Sequence, residues 1–480
     1  MSPHRKASLC AMILGAVCGV GCSSGGNGSS SSSSSGSSNG SSGSSSGDCT
    51  LPATISTNMT LTTSCPVWHV TASGTTVAGS GNPVLTVDPG VTVAFDKGGF
   101  LSIGTSAPGG IVAAGTPDAG ITFTSGAANP AAGDWSALAL GDQTLSTSIL
   151  AYADFEFGSG VGSGGNTSSN DGYTYSEPAG ALIVYGGTNG LSLVLHDLAF
   201  SHNAGNGLVY DNFNAGFAAG SGNLKVDDVA AGFEPFVISA NQAWTLPTTI
   251  SGPTATAVDL ICGDGCPPGT GGEALVAADE PNMAPNTWPA IPLPYLVDGK
   301  TVGMGGGVQI EGAGNSTATL TIAAPNTLEF KSGGVINVDP NGSAQAAFVA
   351  TANQAQPIIF TSSVNPSAPS SGSWGGIQFT APNSGGHNLA LSKLQGVTIR
   401  GAGDSTLSHG SVSQVVIDIL SGSSSDGPVI AGCTIEDYPT SACGIVYNAQ
   451  WTTPPTPPGS YDAPTNTFPG APQCTVDSSP

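Results

Sequence analysis

Beyond residue 48, apolar and polar residues alternate with a period of two. Runs such as Val84-Leu-Thr-Val87, Val91-Thr-Val-Ala-Phe95, Phe100-Leu-Ser-Ile103 and Ile121-Thr-Phe-Thr124 carry an apolar side chain at every second position. On an extended backbone those side chains share one face. Gly, Asn, Asp and Pro interrupt the runs about every 8–12 residues, the spacing of turns between short strands. The pattern predicts an all-β chain without an amphipathic helix of about ten residues or more.

The runs repeat. Pro83-Val-Leu-Thr-Val-Asp-Pro-Gly-Val-Thr-Val-Ala-Phe95 aligns with Ala318-Thr-Leu-Thr-Ile-Ala-Ala-Pro-Asn-Thr-Leu-Glu-Phe330, and Gly98-Gly99 with Gly333-Gly334. Ile121-Thr-Phe-Thr-Ser125 matches Ile358-Ile-Phe-Thr-Ser362, Gly133-Asp-Trp135 matches Gly372-Ser-Trp374, and Gly207-Leu-Val-Tyr210 matches Gly444-Ile-Val-Tyr447. Trp68-His-Val70 corresponds to Tyr295-Leu-Val297. Two modules follow, over 49–250 and 291–452. A Pro/Gly-rich connection spans 251–290, and 453–480 forms a tail or cap, with 49–70 the cap candidate at the other end.

The spacing leaves about 20–25 residues per coil and no room for crossover helices. Parallel neighbours joined by short turns require a solenoid. The grammar "LTV-x-PGVTVAF-x-x-GG-x-L" followed by "ITFTS…GDW" resembles right-handed parallel β-helix repeat proteins of bacterial surfaces. The resemblance implies a right-handed parallel β-helix in two homologous copies. The turn spacing alone also admits a β-sandwich. Such a likeness specifies fold far better than activity.

Residues 1–22 read as an export signal: His4, Arg5 and Lys6 precede an apolar stretch, Ala7–Gly21, too short to span a bilayer. Its end, Gly19-Val20-Gly21-Cys22, resembles a bacterial lipoprotein signal, which implies lipidation of Cys22. Gly19 departs from the pattern, which usually has Leu, Val or Ile there. Residues 23–47 contain only Ser, Gly and Asn. A disordered tether over 23–48 is expected, with an r.m.s. span of about 25–30 Å.

Charge narrows the partners. The 480 residues hold 8 Lys and Arg against 31 Asp and Glu. Removal of Arg5 and Lys6 leaves six basic residues against 31 acidic ones, a net charge of −25. No basic footprint for nucleic acid exists, and bare polyanions should be repelled. The expected partners are a membrane, through the lipid, and neutral polysaccharide or envelope proteins. The expected location is the outer membrane or cell surface of a bacterium.

Seven cysteines follow Cys22: Cys49, Cys65, Cys262, Cys266, Cys433, Cys443 and Cys474. Export permits disulfides. Nearest-neighbour pairing joins 49–65, 262–266 and 433–443 and leaves Cys474 over, although spacing alone does not determine connectivity. Cys262-Gly-Asp-Gly-Cys266 lacks the second ligand pair of a zinc site. No cofactor is expected. Asp-Gly and Asn-Gly steps offer oxygens suited to calcium, but the Gly-Gly-x-Gly-x-Asp nonapeptide is absent.

Two functional classes remain. A low-charge face rich in Thr, Ser and Asn suits a structural, adhesive or glycan-binding role, with Trp135, Trp374 and Tyr152 as stacking candidates. The equivalent placing of the two tryptophans favours packing. The alternative is a polysaccharide hydrolase or lyase. Glycosidases need two carboxylates about 5–10 Å apart. Asp154 and Glu156, in Ala153-Asp-Phe-Glu-Phe157, share a strand face about 6.5–7 Å apart, with Phe155 and Phe157 expected inward. Asp227 and Asp228 are adjacent and would diverge on a strand. His196 and His202 flank Asp197 without an evident third zinc ligand. Arg400, Asp404 and His409 cluster in sequence, and a carboxylate partner for Arg400 is expected.

Overall fold

The structure, a computed structural model, describes residues 47–160, 180–185, 190–211, 213–261, 274–278, 286–297, 307–312, 317–338, 345–381, 389–403, 415–419, 427–437, 444–449 and 465–469. Strand is the regular structure of the described chain, apart from 3-10 turns at Ala240–Thr245 and Leu389–Leu391. Neighbouring strands pair in parallel across all four sheets. A sandwich of antiparallel hairpins is therefore excluded.

One thirteen-stranded sheet, the spine, runs from Thr54–Ile55 to Thr434–Glu436. At about 4.8 Å per strand it extends roughly 60 Å. A twelve-stranded sheet supplies the remaining surfaces of the N-terminal coils. It has two limbs. The entry limb includes Met59–Leu61, Val84–Val87 and Gly110–Ala114. The second limb includes Cys49–Thr50, Trp68–Val70, Thr92–Phe95, Ile121–Ser125, Gly222–Val226 and Ile250–Ser251. Strands Ile149–Glu156 and Ser192–Ser201 are long enough to belong to both limbs. They turn the corner through single left-handed residues, Tyr152 (φ 48°) and Asp197 (φ 54°).

C-terminal coils use two further sheets, one of six strands from Ala274–Ala278 to Ile445–Ala449 and one of five from Asn286–Trp288 to Val429–Ala431. The spine passes through this change without a break: Phe236–Ser239 pairs with Val258–Ile261, which pairs with Tyr295–Val297. The 251–290 interval, expected as a connection, thus carries strands of its own. The 3-10 turn Ala240–Thr245 stands where an entry-limb strand would lie. Trp288 Nε1 donates to Ala240 O at 3.2 Å, and Asn286 Nδ2 donates to Asn241 O at 3.0 Å.

The core is a set of ladders. Phe123, Phe155 and Phe200 occupy one inward row in adjacent coils, and successive rings stack with centroids 5.0 Å apart. That spacing matches the strand repeat, so each ring packs against the next. The like-placed tryptophans confirm the packing expectation. Trp135 and Trp374 are fully buried. Phe95 stacks on Trp135 at 4.2 Å and Phe330 on Trp374 at 4.0 Å, both with 9° between ring planes.

Both ends are closed. Cys49 and Cys65 form a disulfide, Cα–Cα 5.8 Å, that ties down the first coil. At the other end, Thr467 N donates to Cys433 O and Ile435 N to Thr467 O. Asn466 Oδ1 accepts from Cys433 N, and Phe468 packs against the core. These bonds occupy edge groups that would otherwise template another chain. Cys433 itself corrects an expectation. It is a free, buried thiol whose sulfur contacts Leu394 O at 3.5 Å, so it makes no bridge to Cys443. Its side chain belongs to the inward row. Cys22, Cys262, Cys266, Cys443 and Cys474 lie outside the described residues.

Replacing Cys49 and Cys65 together by Ser should lower stability by about 3 kcal/mol, the entropy released by opening a loop of this length. Urea titration monitored by hydrogen exchange should show residues 49–77 losing protection first. Uniform loss along the chain would contradict a local staple.

Candidate functional site

The outer face of the second limb gathers the chemistry that the sequence scatters. Residues 153–156 lie between Ile121–Ser125 and Ser192–Ser201. Ala153 and Phe155 point into the core, so Asp154 and Glu156 face outward, Asp154 exposed and Glu156 half-buried. Register places Asp154 beside Ala199 and Ala199 beside Lys225. Glu156 lies beside Ser201. Asp227, one residue past Val226, continues that second row and receives Lys225 Nζ at 2.6 Å. Small side chains, Ala199 and Ser201, thus form a low floor. The carboxylates of Asp154 and Glu156 stand on one side of it. Lys225 and Asp227 stand on the other, about 10 Å away across two strand steps.

Aromatic and histidine pairs frame this strip. On one edge, the corner residues Tyr152 and Asp197 are joined by Asn223, also left-handed at φ 53°. Asp197 Oδ2 pairs with His196 Nδ1 at 2.8 Å, and its Oδ1 accepts from Asn223 Nδ2 at 3.1 Å. Tyr152 meets the His196 ring edge-on at 5.3 Å. On the other edge, Phe157 stacks on exposed His202 at 5.1 Å. Phe157 was expected inward. Its φ of 62° ends the period-two alternation and turns the ring out of the core row. His202 N donates to Asp228 Oδ1. Asp227 and Asp228 lie just past the end of Gly222–Val226, and both are exposed on this edge.

Buried groups hold the strip in place. Trp135 Nε1 donates to Glu156 O at 2.7 Å. A Cβ on Gly158 would come within 2.8 Å of the Trp135 ring, which leaves room for glycine alone. Buried Asn203 accepts from Gly158 N at 2.7 Å and donates to Phe155 O at 3.0 Å, linking adjacent coils. Thr124 Oγ1 donates to Glu156 Oε2 at 3.1 Å.

Electrostatics separate the acids. Partial burial pushes the Asp154 carboxyl above the usual aspartate range, and Glu156 and Asp227 push it further. The hydrogen bond from His196 holds Asp197 below that range, with Asn223 and Tyr152 assisting. Among the described residues no group of three or more His, Cys, Asp or Glu could hold a metal.

The remaining candidates stay apart. Arg400 has its expected carboxylate: Nε lies 3.5 Å from Glu436 Oε1, and Nη1 donates to Ser367 O at 3.3 Å. Asp404 and His409 lie outside the described residues. Trp244, which the sequence reading passed over, is about half exposed on the 3-10 turn between the two sets of sheets. A further acid, Glu329, sits half-buried on the spine, pushed up to about 7 by burial and then by Glu234. Compared with known proteins, the chain matches no family model, no curated protein and no solved structure.

Two outcomes follow. Asp197→Asn should keep both the left-handed corner, which Asn tolerates, and most of its hydrogen bonding, whereas Asp197→Val should lose both and melt well below it. The wild-type advantage over Asp197→Asn should be present above the usual aspartate range and fade as pH falls through it, because the folded carboxyl is the stronger acid. Glu329 has the opposite sign. Its folded form holds a proton more tightly than the unfolded chain, whose glutamates titrate near 4.5. Wild-type stability should therefore decline relative to Glu329→Gln between about pH 4.5 and 7, read as a growing difference in melting temperature. A difference independent of pH would contradict the assignment.

Proposed function

We propose that the chain is an exported lipoprotein that displays a glycan-binding β-helix at a bacterial surface. Cys22 would carry the lipid, and residues 23–48 would form the tether. The helix is right-handed in this reading, as the repeat grammar implies. It consists of two homologous copies, the second advanced by one face. Support for that shift comes from paired segments. Thr92–Phe95 lies in the twelve-stranded sheet, but its counterpart Asn326–Phe330 lies in the spine. Leu101–Ile103 lies in the spine, but its counterpart Val335–Val338 lies in the six-stranded sheet.

One observation carries the binding role: a low floor of Ala199 and Ser201 between carboxylates, framed by Tyr152 with His196 and by Phe157 with His202. Sugar rings have apolar faces that stack on aromatics and hydroxyls that donate to carboxylates. The net charge and the acids of the strip favour a neutral chain over an acidic one. The strip is open, as adhesion to an extended polymer requires.

A second reading, hydrolysis, draws on the raised pKa of Asp154, as a general acid requires, with Glu156 two residues away on the same strand. Both readings meet the same test. The purified chain would be incubated with neutral and acidic polysaccharides, with and without calcium, and scored for retention in affinity electrophoresis and for released oligosaccharides. Retention by neutral polymers without product, weakened at least tenfold by Tyr152→Ala with Phe157→Ala, is the expected result. Product lost in Asp154→Asn would replace binding with hydrolysis. No retention and no product would overturn both.

A further inference from the structure

The corner at Asp197 holds a histidine in one tautomer. Asp197 Oδ2 lies 2.8 Å from His196 Nδ1, and Asp197 Oδ1 accepts from Asn223 Nδ2 at 3.1 Å. The bond from His196 keeps the carboxyl below the usual aspartate range, so at neutral pH it is ionised and only accepts. Nδ1 must then carry the ring proton. In a neutral imidazole that leaves Nε2 with a lone pair and no hydrogen.

That nitrogen is accessible. Among the described residues no group hydrogen-bonds Nε2, and it is not one of the buried side-chain atoms left without a partner, so it is open to solvent. The side chains of His196 and Asp197 are 27% and 29% exposed. Ala151 and Gly222 flank His196 in the neighbouring coils, so neither adjacent strand lays a large side chain across the ring. A Cβ on Gly222 would come within 2.6 Å of Thr249 Oγ1, which holds that position to glycine. Tyr152 meets the ring at 5.3 Å with 90° between the planes. The ring is thus fixed through Nδ1 and against Tyr152 while Nε2 stays unpaired. An acceptor held in this way loses little rotamer entropy when a ligand docks.

We infer that His196 Nε2 is the acceptor that selects a free hydroxyl on the glycan bound along the strip, with Asp197 as its positioning residue. This rests on the glycan-binding reading and adds a chemical requirement to it: the ligand must donate at this edge. An ionised carboxylate has no hydrogen to give there and is repelled by Asp197. An ether oxygen only accepts. A saccharide with every hydroxyl methylated therefore keeps its apolar ring faces for stacking but loses this contact.

The test uses the purified full chain and hexasaccharides of β-1,4-glucose, β-1,4-mannose and α-1,4-glucose, each also fully methylated. Nitrogen NMR of isotope-labelled histidines separates a protonated ring nitrogen from a bare one, and calorimetry gives the affinity. Wild type needs no substitution for the first readout: Nε2 should be bare at neutral pH, and its resonance should move when a hydroxylated hexasaccharide binds. The methylated form should not move it. His196→Phe keeps a ring against Tyr152 and identifies the His196 resonance by removing it. It should lower affinity about tenfold, the loss of one good hydrogen bond. In Asp197→Asn the amide oxygen stays on Asn223 Nδ2 and turns the NH2 toward Nδ1, which moves the ring proton to Nε2 and should weaken binding as much. A protonated Nε2 in wild type, a resonance unmoved at saturation, or unchanged affinity in His196→Phe or for the methylated sugar would overturn the inference. Binding still lost in Tyr152→Ala with Phe157→Ala would in that event uphold the strip. Weakened binding in Asp197→Asn with Nε2 still bare would overturn the positioning role. No binding by any hexasaccharide would overturn this acceptor, and the strip would then be judged by its polymer test.

Discussion

Each coil of this chain is held only by the coils beside it. Parallel hydrogen bonds join like strands at about 4.8 Å, and the same spacing lets identical inward positions stack. Phe123, Phe155 and Phe200 show the constraint most directly, since ring separation and strand separation coincide. A side chain of different size in one coil must be accommodated by both neighbours. Stability is therefore close to a sum of nearest-neighbour terms, and the terminal coils, with a neighbour on one side only, need the disulfide at one end and the Thr465–Pro469 segment at the other.

The same architecture explains why the outer surfaces are free to carry chemistry. Inward residues are determined by the ladder, and outward residues are left to vary coil by coil. On the twelve-stranded sheet this freedom produces a strip with acids above a small-residue floor. Left-handed residues at Tyr152, Asp197 and Asn223 do more than turn the corner. They interrupt the alternation, so side chains on either side of the bend converge on one edge. Phe157 does the same at the other edge. On the six-stranded sheet one outward row carries the amides Gln309, Asn337 and Gln378, and in the middle of the spine one row is apolar, with Ala139, Ile183, Val209 and Val237 in register and buried. Three outer surfaces thus differ in chemistry although the inner surface is uniform.

The strands, their inward sets and the turn positions were legible because each depends on a period of two and on local turn chemistry. Asp154 and Glu156 were legible as an outward pair for the same reason. So was the packing of Trp135 and Trp374, from their equivalent places in the repeat, and the bridge between Cys49 and Cys65, from proximity. Phe157 was misread because one left-handed residue reverses a face, and residue type alone did not announce it. Asp227, Asp228 and His202 could not be joined to Asp154, since they lie one or two coils away and register is a property of the stack.

The sequence by itself therefore determined that the chain forms short parallel strands with one apolar side each, because that follows from local periodicity and the lack of room for crossovers. Only the tertiary structure decided which outward residues are neighbours, that the spine runs unbroken through 251–290, and that like segments fall on different sheets. Those depend on how many residues each turn consumes before the next strand docks, a quantity set by packing between coils rather than within any one of them.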